Sequence, residues 1–340
     1  HGAQAIGALV SPHSTVEELF LAGALVRGLG SDNIDHRLRN AEFASAEGVR
    51  WLGTSIASLT TLQSVLVVGS NLRKDHPLFA QRIRQAARHG CGVSAINSVA
   101  YDWAMPVAHA RIVPASGWGA ALAEVAAAVA EHKGVPAPVP TTAIGDDARA
   151  IAASLLAGER KAILLGNGAA HHARASGLLA LAQWIGAQTG ATVGYLTEAA
   201  NKVGAQFVGA QPQKDGLNAA QMLGGKLKAA LLLNVEPEHD SAPGVAAAQA
   251  LAKTDMVVTL SPFKTNLDIS DVLLPISPFS ETSGSFINAE GRLQSFHAVV
   301  KPLGETRPGW KVLCALARML DAPNLDFDSS QQVRSEEHTS

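Results

Sequence analysis

Short apolar runs alternate along the chain with longer, alanine-rich stretches. The runs are rich in Val, Ile and Leu and are apolar throughout, which is typical of strands buried on both faces of a parallel sheet. The longer stretches predict helices that cross from one strand to the next. The pattern therefore predicts an α/β fold of two lobes, each of mainly parallel sheet with crossover helices. The predicted strands are 5–10, 65–68, 92–96, 111–113, 162–165, 192–195, 229–235, 256–260 and 272–274, with further β-structure at 286–287 and 293–296.

A proline-rich segment separates the predicted elements into two groups. Its alternating prolines, within residues 134–143, favour an extended and semi-rigid connection. We therefore predict a first α/β lobe over residues 1–133 and a second over residues 144–325, followed by a tail over residues 326–340. In the first lobe, Ser14 and Glu17 predict a capping box at the start of a helix.

Both ends of the chain are unusual. The first residue is His1, and a predicted strand begins almost at once, which indicates an internal fragment of a longer protein. At the other end, residues 334–340 read Arg-Ser-Glu-Glu-His-Thr-Ser and are similar to a translated sequencing-library adapter. We expect this heptapeptide to be non-native and the native sequence to stop near Val333.

Charge and cysteine content exclude several classes of protein. The chain has 27 Lys and Arg against 29 Asp and Glu residues, a formal net charge of −2, which excludes a basic nucleic-acid-binding protein. Only 16% of its residues are charged, so we expect much of its surface to face other proteins. No apolar run has the length of a membrane span. Its two cysteines, Cys91 and Cys314, cannot supply four ligands to an iron–sulfur cluster or a structural zinc ion.

Polar turns follow three of the predicted strands. Doubly wound sheets hold ligands at such strand ends, because free backbone N–H groups and helix N-termini converge there. A turn of this kind can also serve only to reverse the chain. The candidate cofactor-binding turns are Gly69-Ser70-Asn71, Gly166-Asn167-Gly168 and the turn that contains Asn234 and Glu236.

Other signals for catalysis or metal binding are weak. The G-x-G-x-x-G fingerprint and the P-loop motif are absent after the first strand, which argues against an NAD site or a P-loop. His171 and His172 are adjacent and would point about 100° apart on a helix, so we interpret them as a loop-fixing or solvated pair. Neither cysteine has a neighbouring His and acid that would activate it. We predict no catalytic residue and no metal ligand in this chain.

The segment from Asp271 to Gln294 carries the most specific signature. It reads DVLLPISPFSETSGSFINAEGRLQ and closely resembles the D-V-x-L-P-x…E-x-x-G-[ST]-[FY]-x-N-x-E-G-R-x-Q pattern of the molybdopterin oxidoreductase superfamily. Residues 31–37, Ser-Asp-Asn-Ile-Asp-His-Arg, resemble the N-N-I-D-H-R turn of that superfamily. Residues 28–39 and 304–311 look most like the family of the large peripheral-arm subunit of bacterial NADH-quinone oxidoreductase, respiratory complex I. The resemblance covers nearly the whole chain to about Asp321.

The resemblance implies a structural role in electron transfer from NADH to quinone, which is coupled to proton translocation. The large peripheral-arm subunit carries its iron–sulfur clusters, 4Fe-4S and 2Fe-2S, in an N-terminal region that would lie upstream of residue 1. The molybdopterin-enzyme-like domain that follows has lost its cofactor in that family, so no cofactor is expected in this fragment. The implied partners are other subunits of the peripheral arm. The implied location is the cytoplasmic side of the bacterial inner membrane, without direct membrane insertion.

Two other functions are compatible with the sequence. One is an active molybdopterin-dependent oxidoreductase of formate dehydrogenase or nitrate reductase type, and the other is a non-enzymatic nucleotide-binding module. Low charge content and the absence of a thiol after a strand favour the cofactor-free fold. Asn288, Glu290 and Arg292 in the signature match residues of the vestigial pterin-dinucleotide loops. We expect them to satisfy neighbouring backbone or to pair with one another around Gly291.

Overall fold

The computed structural model of the chain describes residues 2–43 and 48–337. It separates into two compact units. The first unit comprises His1–Asn40 and Ala199–Ser340, and the second comprises Ala41–Glu198. Among the described residues, no helix is both long and apolar enough to cross a membrane.

The strands of the two units are numbered in chain order. They are β1 (Ile6–Val10), β2 (Ile34–Asp35), β3 (Ser64–Val68), β4 (Gly92–Asn97), β5 (His109–Ile112), β6 (Lys161–Leu165), β7 (Thr192–Tyr195), β8 (Ala229–Leu233), β9 (Met256–Ser261), β10 (Val272–Pro275), β11 (Gly284–Ile287) and β12 (Leu293–Phe296).

The helices are numbered in the same way. They are α1 (Val16–Gly28), α2 (Leu72–Asp75), α3 (Pro77–Arg88), α4 (Trp118–Lys133), α5 (Asp146–Leu156), α6 (Asn167–Ala170), α7 (Ala175–Thr189), α8 (Lys202–Phe207), α9 (Ala219–Gln221), α10 (Pro237–Asp240), α11 (Val245–Leu251), α12 (Gly309–Met319) and α13 (Ser330–Glu337).

The second unit is a parallel five-stranded sheet with the order β5-β4-β3-β6-β7. Its central strand β3 is buried along its whole length, as expected for a strand covered on both faces. Helices α4, α5 and α7 contribute Leu122, Ile151 and Ile185 to one apolar core with the strands. The order reverses between β3 and β6, which is the switch point where sheets of this type hold ligands.

The first unit repeats this arrangement with a different chain order. Its sheet is also parallel and has the order β10-β9-β8-β1-β2, with β8 in the centre. If the count starts at β8 and continues through β9, β10, β1 and β2, the spatial order of these strands is the same as that of β3 to β7 in the second unit. The switch point of the first unit therefore lies between β8 and β1. The core of this unit contains Leu19 and Leu25 of α1 and Leu313 of α12. Strands β11 and β12 form a separate antiparallel hairpin.

The expected α/β class with two mainly parallel sheets is confirmed, but the division of the chain differs from the one expected. Strand β3 of the expected first lobe pairs with β6 of the expected second lobe. The proline-rich connection at residues 134–143 lies inside the second unit, where it joins α4 to α5 along an exposed path. It therefore links two crossover helices of one sheet and separates no domains.

Two local predictions also need correction. The capping box at the start of α1 is formed by Thr15 and Glu18, one residue later than Ser14 and Glu17, because Thr15 has the extended N-cap conformation. The expected tail contains helix α13, and Val333 on this helix is fully buried in the core of the first unit. Residues 338–340 of the heptapeptide lie outside the described residues.

Candidate functional site

Two of the predicted turns lie side by side at the carboxyl edge of the second-unit sheet. Residues 69–71 follow β3, and residues 166–168 follow the neighbouring strand β6. The Gly168 N–H donates to the Gly69 carbonyl over 2.9 Å. A Cβ atom on Gly166 would lie 2.4 Å from the Cβ atom of Ser70, so glycine is needed there for the turns to touch. We call these six residues the second-unit edge.

Side chains of the protein accept hydrogen bonds from backbone N–H groups at the second-unit edge. The Ser70 N–H donates to Asn97 Oδ1 over 2.9 Å, and the Asn71 N–H donates to Asp75 Oδ2 over 2.9 Å. The Ser70 hydroxyl donates to the same Asp75 oxygen over 3.4 Å. Because N–H groups at such strand ends are those that bind phosphate, the Asp75 carboxylate occupies a position suited to an anionic ligand.

Aromatic and histidine side chains fix the rest of this edge. The Trp118 ring would contact a Cβ atom on Gly69 at 2.7 Å, so the ring packs directly on the turn. His172 stacks on Trp118 with ring centroids 5.8 Å apart, and its Nε2 donates to the Ala115 carbonyl over 3.0 Å. His171 Nε2 contacts the carboxylate of Glu198. The two histidines therefore hold loops in place, as the sequence predicts.

The third predicted turn belongs to the first unit. Asn234 follows β8 in the left-handed conformation (φ 53°), and its side-chain amide donates to the Ser14 hydroxyl over 2.9 Å. The Glu236 N–H donates to Asp240 Oδ2 over 2.8 Å. We call residues 11–14, which follow β1, together with 234–236, the first-unit edge. A carboxylate of the protein again satisfies a backbone donor beside the switch point.

Two buried glutamates at the start of α1 contact neighbouring segments of the first unit, and Glu17 binds the signature segment. Glu17 accepts hydrogen bonds from the Ser285 N–H and the Ser285 hydroxyl, each over 2.8 Å. Glu18 lies against Gly309, where a Cβ atom would stand 2.3 Å from Glu18 Oε1. Burial raises the pKa of Glu18 to about 7, although hydrogen bonds from Thr15 oppose this rise.

The glycine-containing end of the signature forms the turn of the β11–β12 hairpin. Asn288 Oδ1 accepts the N–H groups of Glu290 (3.1 Å) and Arg292 (2.9 Å). Arg292 Nε and Glu290 Oε1 form an ion pair at 3.1 Å. Gly291 has a φ of 82°, which favours glycine. The three polar residues therefore satisfy the backbone of their own turn and pair with each other.

The Asp-His-Arg turn of residues 35–37 is likewise tied to its own unit. Asp35 is fully buried and accepts bonds from Arg37 Nε (2.8 Å) and from the Ala219 N–H (3.0 Å). His36 Nδ1 donates to the Ala210 carbonyl over 2.8 Å. Burial lowers the pKa of His36 to about 4, so its ring is neutral at pH 7.

Neither thiol lies at a carboxyl edge. Cys91 precedes β4 at the amino edge of its sheet, and burial raises its pKa to about 11. Cys314 is buried within α12, and burial raises its pKa as well. In the described part of the chain, no three His, Cys, Asp or Glu side chains are grouped so that they could hold a metal ion.

Sequence reasoning missed the side chains that close these edges. Asn97 stands at the end of β4, and a fourth polar turn could have been recognised there. Asp75 carries no such signal, because it lies in α2 and acts on residues four and five positions earlier. Buried Asn201 joins the Ser14 carbonyl to the Ile287 N–H, a link between distant segments that no local pattern indicates.

The comparison with protein families gives a match over most of the chain. Residues 1–319 match the family model described as molybdopterin oxidoreductase. The chain belongs to the molybdopterin oxidoreductase family. The family is one of oxidoreductases.

Curated relatives match only a short part of the chain. A Staphylococcus aureus (strain MRSA252) protein named "Putative formate dehydrogenase" is 40% identical over 72 residues, which are 21% of this chain and 7% of that protein. The mitochondrial NADH-ubiquinone oxidoreductase 78 kDa subunit of Candida albicans is 42% identical over 65 residues, which are 19% of this chain and 9% of that protein. The matched region thus spans less than a tenth of either relative.

Solved structures support the fold. Acetylene hydratase from Pelobacter acetylenicus has a TM-score of 0.72 at 13% identity, covering 95% of this chain and 56% of that chain. A structure of the formyltransferase/hydrolase complex from Methylorubrum extorquens with methylofuran has a TM-score of 0.64 at 17% identity, covering 94% and 93%. At these identities the likeness shows the fold alone.

Proposed function

We propose that this chain is the cofactor-free, structural part of the large peripheral-arm subunit of a bacterial NADH-quinone oxidoreductase. The parent protein takes part in electron transfer from NADH to quinone coupled to proton translocation. Its 4Fe-4S and 2Fe-2S clusters lie upstream of residue 1, and its partners are other peripheral-arm subunits at the cytoplasmic side of the inner membrane. This portion contributes architecture and contact surface.

The observation that carries the cofactor-free proposal is that protein carboxylates satisfy turn N–H groups at both edges. Asp75 accepts the Asn71 N–H, and Asp240 accepts the Glu236 N–H. A pyrophosphate at either edge would compete for the N–H donor of that edge and would be repelled by the carboxylate that already accepts it. This arrangement supports a site without a bound pterin dinucleotide.

The positions of the two thiols support the same proposal. A molybdenum or tungsten ion bound by the protein would need a thiolate, carboxylate or alkoxide free to coordinate it. Cys91 lies at the amino edge of its sheet, and Cys314 lies inside a helix. Burial raises the pKa of both thiols, which opposes formation of the thiolate.

The match to the 78 kDa subunit supports assignment to NADH-quinone oxidoreductase. The 42% identity over 65 residues is comparable with the 40% identity over 72 residues shared with the formate dehydrogenase-named relative. That second match favours a rival function, an active molybdopterin-dependent oxidoreductase of formate dehydrogenase type. A nucleotide-binding module is a third candidate, favoured by Asn167 Oδ1, which is buried without a hydrogen-bond partner among the described residues.

Metal and pterin analysis of the purified full-length protein tests the proposal. We expect molybdenum and tungsten far below one atom per chain, no pterin fluorescence after oxidation, and co-purification with NADH-quinone oxidoreductase activity. Stoichiometric metal with pterin would overturn the proposal in favour of the rival enzyme. Thermal stabilisation by a nucleotide panel in the metal-free protein would favour the nucleotide-binding module.

A further inference from the structure

The first unit carries a groove that neither sheet edge uses. It has a volume of about 490 Å³ and lies between the signature segment and the start of α12. Its walls include Thr282, Ser283, Pro302 and Trp310. Three cationic side chains also line it, namely Lys301, Arg307 and Lys311.

An exposed apolar patch adjoins this groove. Phe279, Val299 and Leu303 are 75%, 81% and 77% exposed, and Val300 is 55% exposed. Isolated apolar residues are common on protein surfaces, but a contiguous group of large ones beside a groove marks an interaction site. We call these four residues and the groove the docking face.

Hydrogen bonds hold the docking face in shape. The N–H groups of Val299 and Val300 both approach the Ser280 carbonyl, at 2.9 and 3.3 Å. The Leu303 N–H donates to Glu281 Oε2 over 2.9 Å. The Arg307 carbonyl accepts the Ser277 N–H over 2.8 Å. The loop that carries the patch is therefore fixed to the signature segment at three places before any partner binds, which lowers the entropy cost of docking.

The charge of the docking face indicates the chemistry of its partner. Within the described residues, Lys301 and Lys311 form no ion pair, and Lys311 Nζ lies 5.2 Å from the centre of the Trp310 ring. Arg307 forms an ion pair with the 95%-exposed Glu305 at 3.7 Å, and its guanidinium donates to the Thr306 carbonyl over 2.9 Å. Glu281, the carboxylate on the groove wall, already accepts the Leu303 N–H. The face is thus cationic on a chain whose net charge is −2.

We infer that the docking face binds a segment of a partner protein that carries Asp or Glu side chains next to a large apolar residue. Carboxylates complement the three cations, and the apolar residue covers Phe279 and Val299. The concave groove favours a protruding polypeptide over a flat anionic membrane surface. The inference rests on the proposed function only in requiring that the chain has a partner subunit.

Site-specific photocrosslinking in the full-length protein, expressed in its own bacterium, tests this inference. A benzophenone amino acid replaces Val299, and the matched control replaces Met319, which is equally exposed at 81% on α12. We expect a crosslink from position 299 to an acidic polypeptide segment and at least a fivefold weaker product from position 319. Equal products at both positions, a lipid adduct or a crosslink to a second copy of this chain would overturn the inference.

Charge reversal gives an independent measurement. Lys301→Glu should lower the crosslink yield at position 299 at least fivefold, whereas Lys253→Glu, an exposed control in the same unit, should leave it unchanged. An unchanged yield with Lys301→Glu would contradict the role of charge. The crosslinked protein also separates the two proposals, because an acidic partner that is not a subunit of NADH-quinone oxidoreductase would support the docking face and contradict the proposed function.

Discussion

The two sheets share one spatial strand order but close their carboxyl edges by different means. At the second-unit edge, backbone meets backbone through Gly69, Gly166 and Gly168. At the first-unit edge, the Asn234 side chain bridges to Ser14. A switch point can therefore be sealed by removing side chains or by adding polar ones, and we expect single substitutions to affect the two edges to different extents.

The largest effect is expected where backbone packs on backbone. Gly166→Ala should lower the free energy of unfolding of the second unit by about 3 kcal/mol, because the new Cβ atom would lie 2.4 Å from the Ser70 Cβ atom and 2.6 Å from the Gly69 carbonyl oxygen. The backbone of Gly166 (φ −85°) suits alanine, so the loss would be steric.

Urea unfolding followed by tryptophan fluorescence measures this loss. Trp310 is in the first unit and the other four tryptophans are in the second, so a Trp310→Phe background isolates the second-unit signal. Gly177→Ala is the matched control, since its Cβ atom would meet nothing within 4 Å. Equal stability of the two variants would show that the second-unit edge is not closed by glycine packing.

A pH dependence is expected from the first unit. The folded pKa of Glu18, about 7, lies above its ordinary value of 4.5, so the folded chain keeps a proton that the unfolded chain releases. The contribution of Glu18 to the free energy of unfolding is therefore full below pH 4.5 and falls as the pH rises towards 7. Between pH 5.5 and 7.5 we expect a loss of about 2 kcal/mol.

Glu18→Gln should flatten this dependence while keeping an acceptor for the Thr15 N–H. The measurement is the urea midpoint at a series of pH values, read from Trp310, with exposed Glu238→Gln as control. If Glu18→Gln retains the slope of the parent chain, the buried carboxyl group is not its source.

The smallest effect concerns the side-chain bridge of the first-unit edge. Asn234→Gly loses the bond to Ser14 but relieves the left-handed backbone, so its net loss should be about 1 kcal/mol or less. Asn234→Ala loses the bond and keeps the backbone cost, so it should be the less stable of the two. Lys214→Gly, at another left-handed position with an exposed side chain, should lose nothing. The opposite order of the two Asn234 variants would contradict the bridge.

The strands were predictable from sequence, but their partners were not. Residues 65–68 and 162–165 are apolar on both faces, and this alone indicates buried parallel strands. Which strands pair depends on contacts between distant segments, such as Ile6 with Ala229. The exposed proline-rich connection is easy to recognise in the sequence. The point after Asn40 where the chain leaves the first unit has no unusual composition and is not recognisable in this way.

The candidate turns were predictable one at a time. Glycine and asparagine after an apolar run indicate a turn, as at Gly69 and Asn234. The role of the Asp75 carboxylate was not predictable, because it depends on the short helix α2. This helix places the carboxylate beside the Asn71 N–H of the preceding turn. The absence of a bound pterin dinucleotide at these turns stays a prediction, which the metal and pterin analysis tests.

The second unit is inserted between Asn40 and Ala199 of the first. Since β1 ends at Val10 and its neighbour β8 begins at Ala229, a ribosome releases the whole second unit before β1 can find that neighbour. The inserted unit can complete its sheet early, while the N-terminal segment that contains β1 still has unpaired strand edges. Translational pausing or chaperone binding during this interval would govern the yield of the first unit far more than that of the second.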